Sequence, residues 1–203
     1  MPPVTDHRPP VTGIVLAGGL GRRMGGVDKG LQLLHGEPMV AWVIRRFAPQ
    51  VDEVLINANQ NPERYGAFGH RVVPDAIGGY AGPLAGLHRG LSEARHHLVA
   101  TVPCDSPFLP HDLVDRLHGA MKRTYSELAV AKTGDQAHPV FCLTSRSMLP
   151  GLTAFLEGGG RKIDAWYAAL KVVEVLFDDE ADAFSNINTR EELQDFDQSN
   201  RDS

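Results

Sequence analysis

Cysteine is scarce in this sequence. The chain of 203 residues has two, Cys104 and Cys142. They form no C-x-x-C pair and show no Cys/His spacing suited to zinc, so a zinc-held scaffold is excluded. Both lie in apolar stretches ("ATVPCDSP", "PVFCLTS") and are expected to be buried free thiols in a reducing, cytoplasmic setting. Positive charge is also short. Lys plus Arg is 20 against 25 for Asp plus Glu, a formal net charge of −5. That excludes a general nucleic-acid coat and a polybasic membrane binder. Long apolar runs are missing, since none approaches the roughly 20 residues needed to cross a bilayer. The opening "MPPVTDHRPP" lacks the apolar core of a secretory leader. Its prolines suit a flexible tail over residues 1–11, and a second tail is expected over 198–203. What is present is ordinary for a globular protein: 42% hydrophobic and 22% charged residues. No linker and no internal repeat divides the chain, so a single domain is expected over 12–197.

Short apolar runs alternate with stretches of helical spacing. Strands are expected at "TGIVLAG", "EVLINAN", "RVVPD", "HLVATVPCD", "LAVAKT", "HPVFCLT" and "KVVEVLF". Helices are expected at "EPMVAWVIRRFAPQ", where Met39, Val40, Val43, Ile44 and Phe47 fall on one face, and at "GPLAGLHRGLSEARHH" and "PHDLVDRLHGAMKRT". Others are expected at "SRSMLPGLTAFLEGG", "RKIDAWYAAL" and "TREELQDFD", the last with Thr189 and Glu192 as a capping box. Pro150 implies a start after it or a kink. Strands separated by helices predict an α/β fold, a three-layer α/β/α arrangement around a mostly parallel Rossmann-like sheet. Such sheets bind ligands beyond the carboxyl ends of their strands. The segments that follow the strands here are "AGGLGRRMGGVDKG", "NAN", "PD" and "PCDSP".

The first of these raises the sharpest question. "LAGGLGRRMGGVDKG" crowds glycines beside Arg22, Arg23, Asp28 and Lys29. It is not the dinucleotide fingerprint, because Met24 stands where G-x-G-x-x-G requires its last glycine. Nor is it a P-loop, because Val27 stands where the lysine must be. It has the ingredients of a third kind of phosphate loop: bare backbone that turns N–H groups toward an anion, and cations that neutralise a polyphosphate.

The stretch resembles the signature of the molybdenum cofactor guanylyltransferases, L-A-G-G-x-x-x-R-M-G-x-D-K, within the wider nucleotidyltransferases that make activated sugars and cofactors. The likeness runs from about Thr12 to about Phe196 and is supported by "VLINAN", "DAIGGYAGPLAG", "PCDSPFLP" and "NINT". It implies the sheet of the nucleotide-diphospho-sugar transferase type. It also implies GMP transfer from GTP to the terminal phosphate of molybdopterin, with release of pyrophosphate. "GG" after Leu16-Ala17, with "GPLAG" and "NINT", favours the guanylyl over the cytidylyl branch.

Roles follow from the resemblance position by position. Leu16, Ala17, Gly18, Gly19, Lys29, Asn57, Asp75 and Asp105 are expected to hold the nucleotide. Arg23, Lys29 and Asp105 carry the chemistry, and Asp105 ligates Mg²⁺. From the residues alone, Asp105 serves equally as a turn former before Ser106-Pro107, and Asn57 and Asp75 as turn residues. Asp28 suits a second metal ligand or a local loop contact. Asn186 and Asn188 border the pterin side by resemblance; from the residues themselves, Arg161 and Lys162 after the glycines of "EGGGRKID" suit an anion clamp and Gly82 a close backbone approach, so these too are expected on the pterin side. Yet "EGGGRKID" around Arg161 also reads as a helix-to-helix turn with solvated charges, and Gly82 as the turn before a helix. No histidine stands at metal spacing.

Expected partners are GTP, molybdopterin, and molybdoenzyme chaperones or molybdenum-insertion proteins, with the chain a monomer or weak oligomer. Three rival readings stay open: a molybdopterin cytidylyltransferase, a sugar-phosphate nucleotidyltransferase, and a non-catalytic carrier that binds GTP and pterin.

Overall fold

The computed structural model describes residues 8–18, 28–77 and 82–187. Strand β1 (Val11–Leu16) is followed by a small hairpin, β2 (Leu33–Leu34) and β3 (Glu37–Pro38). Next come α1 (Met39–Phe47), β4 (Glu53–Asn57), α2 (Pro62–Gly66), β5 (Arg71–Val73) and α3 (Pro83–Glu93). Then follow β6 (Leu98–Pro103), α4 (Leu113–Thr124), β7 (Leu128–Thr133) and β8 (Gln136–Ser145). The described chain closes with α5 (Leu149–Glu157), α6 (Ile163–Tyr167), β9 (Val172–Leu176) and a 3-10 segment over Asp178–Phe184.

Seven strands form one sheet in the order β5-β4-β1-β6-β8-β7-β9. β1 pairs in parallel with β4 and β6, β4 with β5, and β7 with β9. Strand β8 alone runs against its neighbours. Two apolar layers flank the sheet, as the period of two along a strand requires. Val11 and Val15 of β1 join Val40, Val43 and Phe47 of α1 and Leu113, Val114 and Leu117 of α4. Ile14 faces the other way, with Leu84, Leu87 and Leu91 of α3, Leu152 and Leu156 of α5, and Trp166 and Tyr167 of α6. The three-layer, mostly parallel fold is thus as expected. Cys104 and Cys142 are both free and buried.

Several boundaries differ from the expectation. Residues 8–11, expected in a flexible tail, are held against the domain. Val11 is fully buried in β1 and donates its N–H to Asp52 Oδ2 at 2.8 Å, and Arg8 bonds Asp115 at 2.9 Å and the Gln50 carbonyl at 2.7 Å. Strand β8 is longer than expected and joins β7 through the two residues Gly134-Asp135, with Gly134 at φ 51°. The register of that pair jumps between Val130 and Ala131, where Pro139 lies on β8. The ladder broken there is repaired from the side. Thr101 donates its hydroxyl to the Val140 carbonyl at 2.6 Å and Tyr167 donates to that of Pro139 at 2.6 Å. Pro150 sits in the first turn of α5, which needs no N–H at that point. The helix expected over 189–197 lies outside the described residues. No helix among the described residues is long and apolar enough to cross a membrane.

Candidate active site

The chain leaves β1 for β4 and β5 on one side, then returns to β6 on the other. A doubly wound sheet places its ligand at such a reversal, beyond the carboxyl ends of the strands, here β1 and β6. The register brings Leu16 opposite both Asn57 and Pro103. One residue further, Ala17 donates to the Asn57 carbonyl at 2.8 Å and Cys104 donates to that of Leu16 at 3.1 Å. Gly18, Asn59 and Asp105 therefore stand together on the rim.

Asp105 is 8% exposed. Its Oδ2 lies 3.0 Å from Nζ of Lys29, 76 residues earlier in the chain. A buried carboxylate needs such a partner. Its backbone carbonyl accepts the Ile187 N–H at 2.9 Å. Next to it, Ser106 hydrogen-bonds Asn186. Asn186, expected on the pterin side, is thus brought within one residue of the expected metal carboxylate.

Asn57, 2% exposed, donates from Nδ2 to the Val73 carbonyl at 3.1 Å and to Asp75 Oδ1 at 2.9 Å. Asn59, not singled out from the sequence, donates to Asp75 Oδ2 at 2.8 Å, and its Oδ1 accepts the Asp75 N–H at 2.8 Å. The signal was available: N-x-N at a strand end puts both amides on one side. The Asn57 amide oxygen points at α3. A Cβ built on Gly86 would lie 2.4 Å from Asn57 Oδ1 and 2.5 Å from Leu16 Cδ2. The helix approaches the site this closely only because Gly86 has no side chain.

The remaining expected positions are more spread. Gly82 caps α3 at φ 60°, ψ −145°, a conformation nearly confined to glycine. No described atom lies within 4 Å of a Cβ built there, so the backbone turn, and no close approach, calls for glycine. Arg161 is exposed and donates to the carbonyls of Leu156 and Gly160, each at 2.7 Å. It closes the carboxyl end of α5 as a cap. Arg146 of the turn before α5 reaches the Leu91 carbonyl and Thr153 meets His88, so α5 runs antiparallel to α3. Arg161 consequently stands at the same end of the sheet as Gly82. Gly19, Arg23 and Asn188 lie outside the described residues.

The Asp28 side chain turns toward α2. Its carboxylate accepts the Tyr65 hydroxyl at 2.5 Å and the Asn61 Nδ2 at 3.0 Å. The contact expected within the loop is thus a long-range one, to residues 33 and 37 positions further on. No group of three or more His, Cys, Asp or Glu suited to a metal occurs among the described residues. His138 bonds Thr133 at 2.7 Å and stacks on Phe184 at 4.7 Å, an ordinary packed histidine.

The doubly wound sheet, with polar residues gathered at its reversal, defines a mostly parallel α/β protein of the Rossmann-like type. A family model described as MobA-like NTP transferase domain matches residues 13–172. A molybdenum cofactor guanylyltransferase of Cupriavidus taiwanensis is 52% identical over 191 residues, covering 92% of this chain and 96% of its own. Its counterpart in Cupriavidus pinatubonensis is 51% identical over 191 residues, with coverage of 92% and 96%. The crystal structure of molybdopterin-guanine dinucleotide biosynthesis protein A from Archaeoglobus fulgidus superposes with a TM-score of 0.76 at 22% identity, covering 95% of this chain and 100% of that one. This chain belongs to the MobA-like NTP transferase family.

Proposed function

We propose that this protein transfers GMP from GTP to the terminal phosphate of molybdopterin, releasing pyrophosphate and forming the guanine dinucleotide cofactor. The observation that carries the reading is the Lys29–Asp105 pair, 3.0 Å apart at the sheet reversal, in a chain half identical to guanylyltransferases. GTP lies over the loop after β1, against the backbone of Leu16 to Gly19. Lys29 and Arg23 hold the triphosphate, and Asn57 and Asp75 secure the nucleoside. The pterin phosphate approaches from the side of Gly82, Arg161, Asn186 and Asn188.

Mg²⁺ fits this donor set in one mode. It binds through one or two carboxylates plus substrate phosphates and keeps several waters, rather than through an all-protein cage. A single Asp105 at the rim suits that mode, and a cation already sits on it as the Lys29 ammonium. When bound, the ion neutralises charge on the phosphates. Asp105 would hold the ion, and Lys29 can swing from that carboxylate to the triphosphate, since its stem is flexible and its charge a point. A phosphate monoester has its second pKa near about 6, so the attacking phosphate is largely anionic at neutral pH and needs no general base. The enzyme supplies positioning and charge neutralisation.

Pyrophosphate release from purified protein tests the reading. GTP, CTP and UTP are supplied in turn, with and without molybdopterin, and with chelator or added Mg²⁺. Release only with GTP, molybdopterin and Mg²⁺ is expected. Release with CTP or UTP would assign the cytidylyl or sugar reaction, and GTP binding without release would assign a carrier. We further place the protein in the cytoplasm, where its two buried free thiols meet a reducing medium. There a single domain, a monomer or weak oligomer, would serve molybdoenzyme chaperones or molybdenum-insertion proteins.

A further inference from the structure

The lysine that meets Asp105 stands on a turn whose hold is unusual. Asp28 precedes the 3-10 turn Lys29–Leu31 and its carbonyl accepts the Leu31 N–H at 3.2 Å. An aspartate in that place ordinarily caps the turn with its own carboxylate. Here the side chain makes no capping bond. Both its oxygens are instead taken by α2, 33 and 37 residues away: Asn61 at 3.0 Å and Tyr65 at 2.5 Å. Asn61 and Tyr65 are four apart, so one turn of helix aims both donors at one carboxylate. Asn61 holds a left-handed backbone, φ 49° and ψ 43°, to start that helix. Tyr65 is fully buried. Its hydroxyl also abuts the next residue of the turn, since a Cβ built on Gly30 would lie 2.6 Å from it and 3.1 Å from Cys104 Cβ.

We propose that Tyr65, assisted by Asn61, is a positioning residue. It grips Asp28 and thereby fixes the turn from which Lys29 reaches the phosphates. Asp28 acts as the anchor of that turn and not as a metal ligand. Burial, with the nearby Cys104 and Asp28, pushes the Tyr65 phenol far above its ordinary value, so it remains a donor throughout the working pH range. Removing its hydroxyl leaves the ring in place and loosens only the grip on Asp28. This rests on Lys29 acting as proposed above, and the experiment separates the two.

Pyrophosphate release is measured for Tyr65→Phe, Lys29→Ala and the double variant, with thermal unfolding alongside. Loss of a supporting hydrogen bond behind an active group typically costs about 10–100-fold in activity. Tyr65→Phe is expected to lower kcat by about tenfold in the wild-type background and by nothing further in the Lys29→Ala background, because the two changes disable one device. An equal loss in both backgrounds, or a lower melting temperature with kcat unchanged, would overturn the inference. Near-normal turnover by Lys29→Ala would overturn instead the role given to Lys29. Should Tyr65→Phe fail to fold, Asn61→Gly, an exposed change that keeps the left-handed backbone, is read in the same two backgrounds: a kcat loss confined to the Lys29 background supports the grip, and an unchanged kcat refutes it.

Discussion

Two glycines one turn apart on α3 offer a way to separate fold from site. Gly86 and Gly90 both face the sheet. A Cβ on Gly90 would lie 1.6 Å from Ile14 Cδ1 and 2.7 Å from Ile14 Cγ1. Ile14 is fully buried, so either its side chain repacks within the core or helix and strand move apart. Overpacking of this kind costs about 1–3 kcal/mol, and alanine in a helix returns about 1 kcal/mol over glycine. Gly90→Ala should therefore destabilise by up to about 2 kcal/mol net. Gly86→Ala meets Asn57 Oδ1 at 2.4 Å and Leu16 Cδ2 at 2.5 Å and should cost a similar amount or less. The functional effects diverge. Displacing the Asn57 amide disturbs its bond to the Asp75 carboxylate, and the KM for GTP should rise by about tenfold or more, as on loss of a supporting bond behind a binding group. Urea unfolding reads the first quantity and pyrophosphate release at varied GTP the second. Both variants should lose stability, and only Gly86→Ala should lose GTP. Equal KM values in the two variants would refute the placing of Asn57 and Asp75 at the nucleotide.

Asp105→Asn keeps the shape of the side chain and removes its charge. Turnover should fall by about 10²–10³, the usual loss when a preorganised electrostatic group is removed. Stability should change by only about 1 kcal/mol, because Lys29 is partly exposed and can turn to water; near-normal pyrophosphate release would exclude Asp105 from the chemistry. Acid should weaken the fold from neutrality downward. Burial holds His70, His88 and His138 below the ordinary histidine value of 6.5, so between their folded values and about 6.5 the unfolded chain binds more protons. Their contribution is complete above pH 6.5 and is lost as pH falls through that window; a urea midpoint that holds or rises from pH 7.5 to 5.5 would contradict it. Glu53 acts lower down. Burial alone would raise its pKa, but the Arg95 N–H, the Thr12 hydroxyl and the Arg95 and Arg71 charges together hold it below 4.5. Its stabilisation should be present above pH 4.5 and lost on further acidification, and Glu53→Gln should flatten the stability profile there.

How much of this was legible in the chain follows from the range of the forces concerned. Apolar periodicity showed most of the strands and helices, because burial on a face is written in the spacing of Val, Ile and Leu. The antiparallel run of β8 was hidden, although "TGDQ" carries the two-residue turn that makes a hairpin. The short helix α2 gave no periodic signal, since it has few residues and buries one of them, Tyr65. At the site, the doubly wound rule marked the segments after the strands, and the family resemblance named Leu16 to Gly18, Lys29, Asn57, Asp75 and Asp105 within them. The sequence could not show what each side chain grips.

Those contacts bridge residues far apart in the chain, and a local pattern carries no record of them. The Lys29–Asp105 pair spans 76 residues and the Ser106–Asn186 bond 80. The sequence by itself determined the layers, the strand-end chemistry and the family. Only the tertiary structure decided that Asn59 completes the clasp on Asp75, that Arg161 closes a helix, and that Asp28 turns into α2. Which donor reaches a carboxylate is settled by distance in space, and that distance is set by how the sheet reverses.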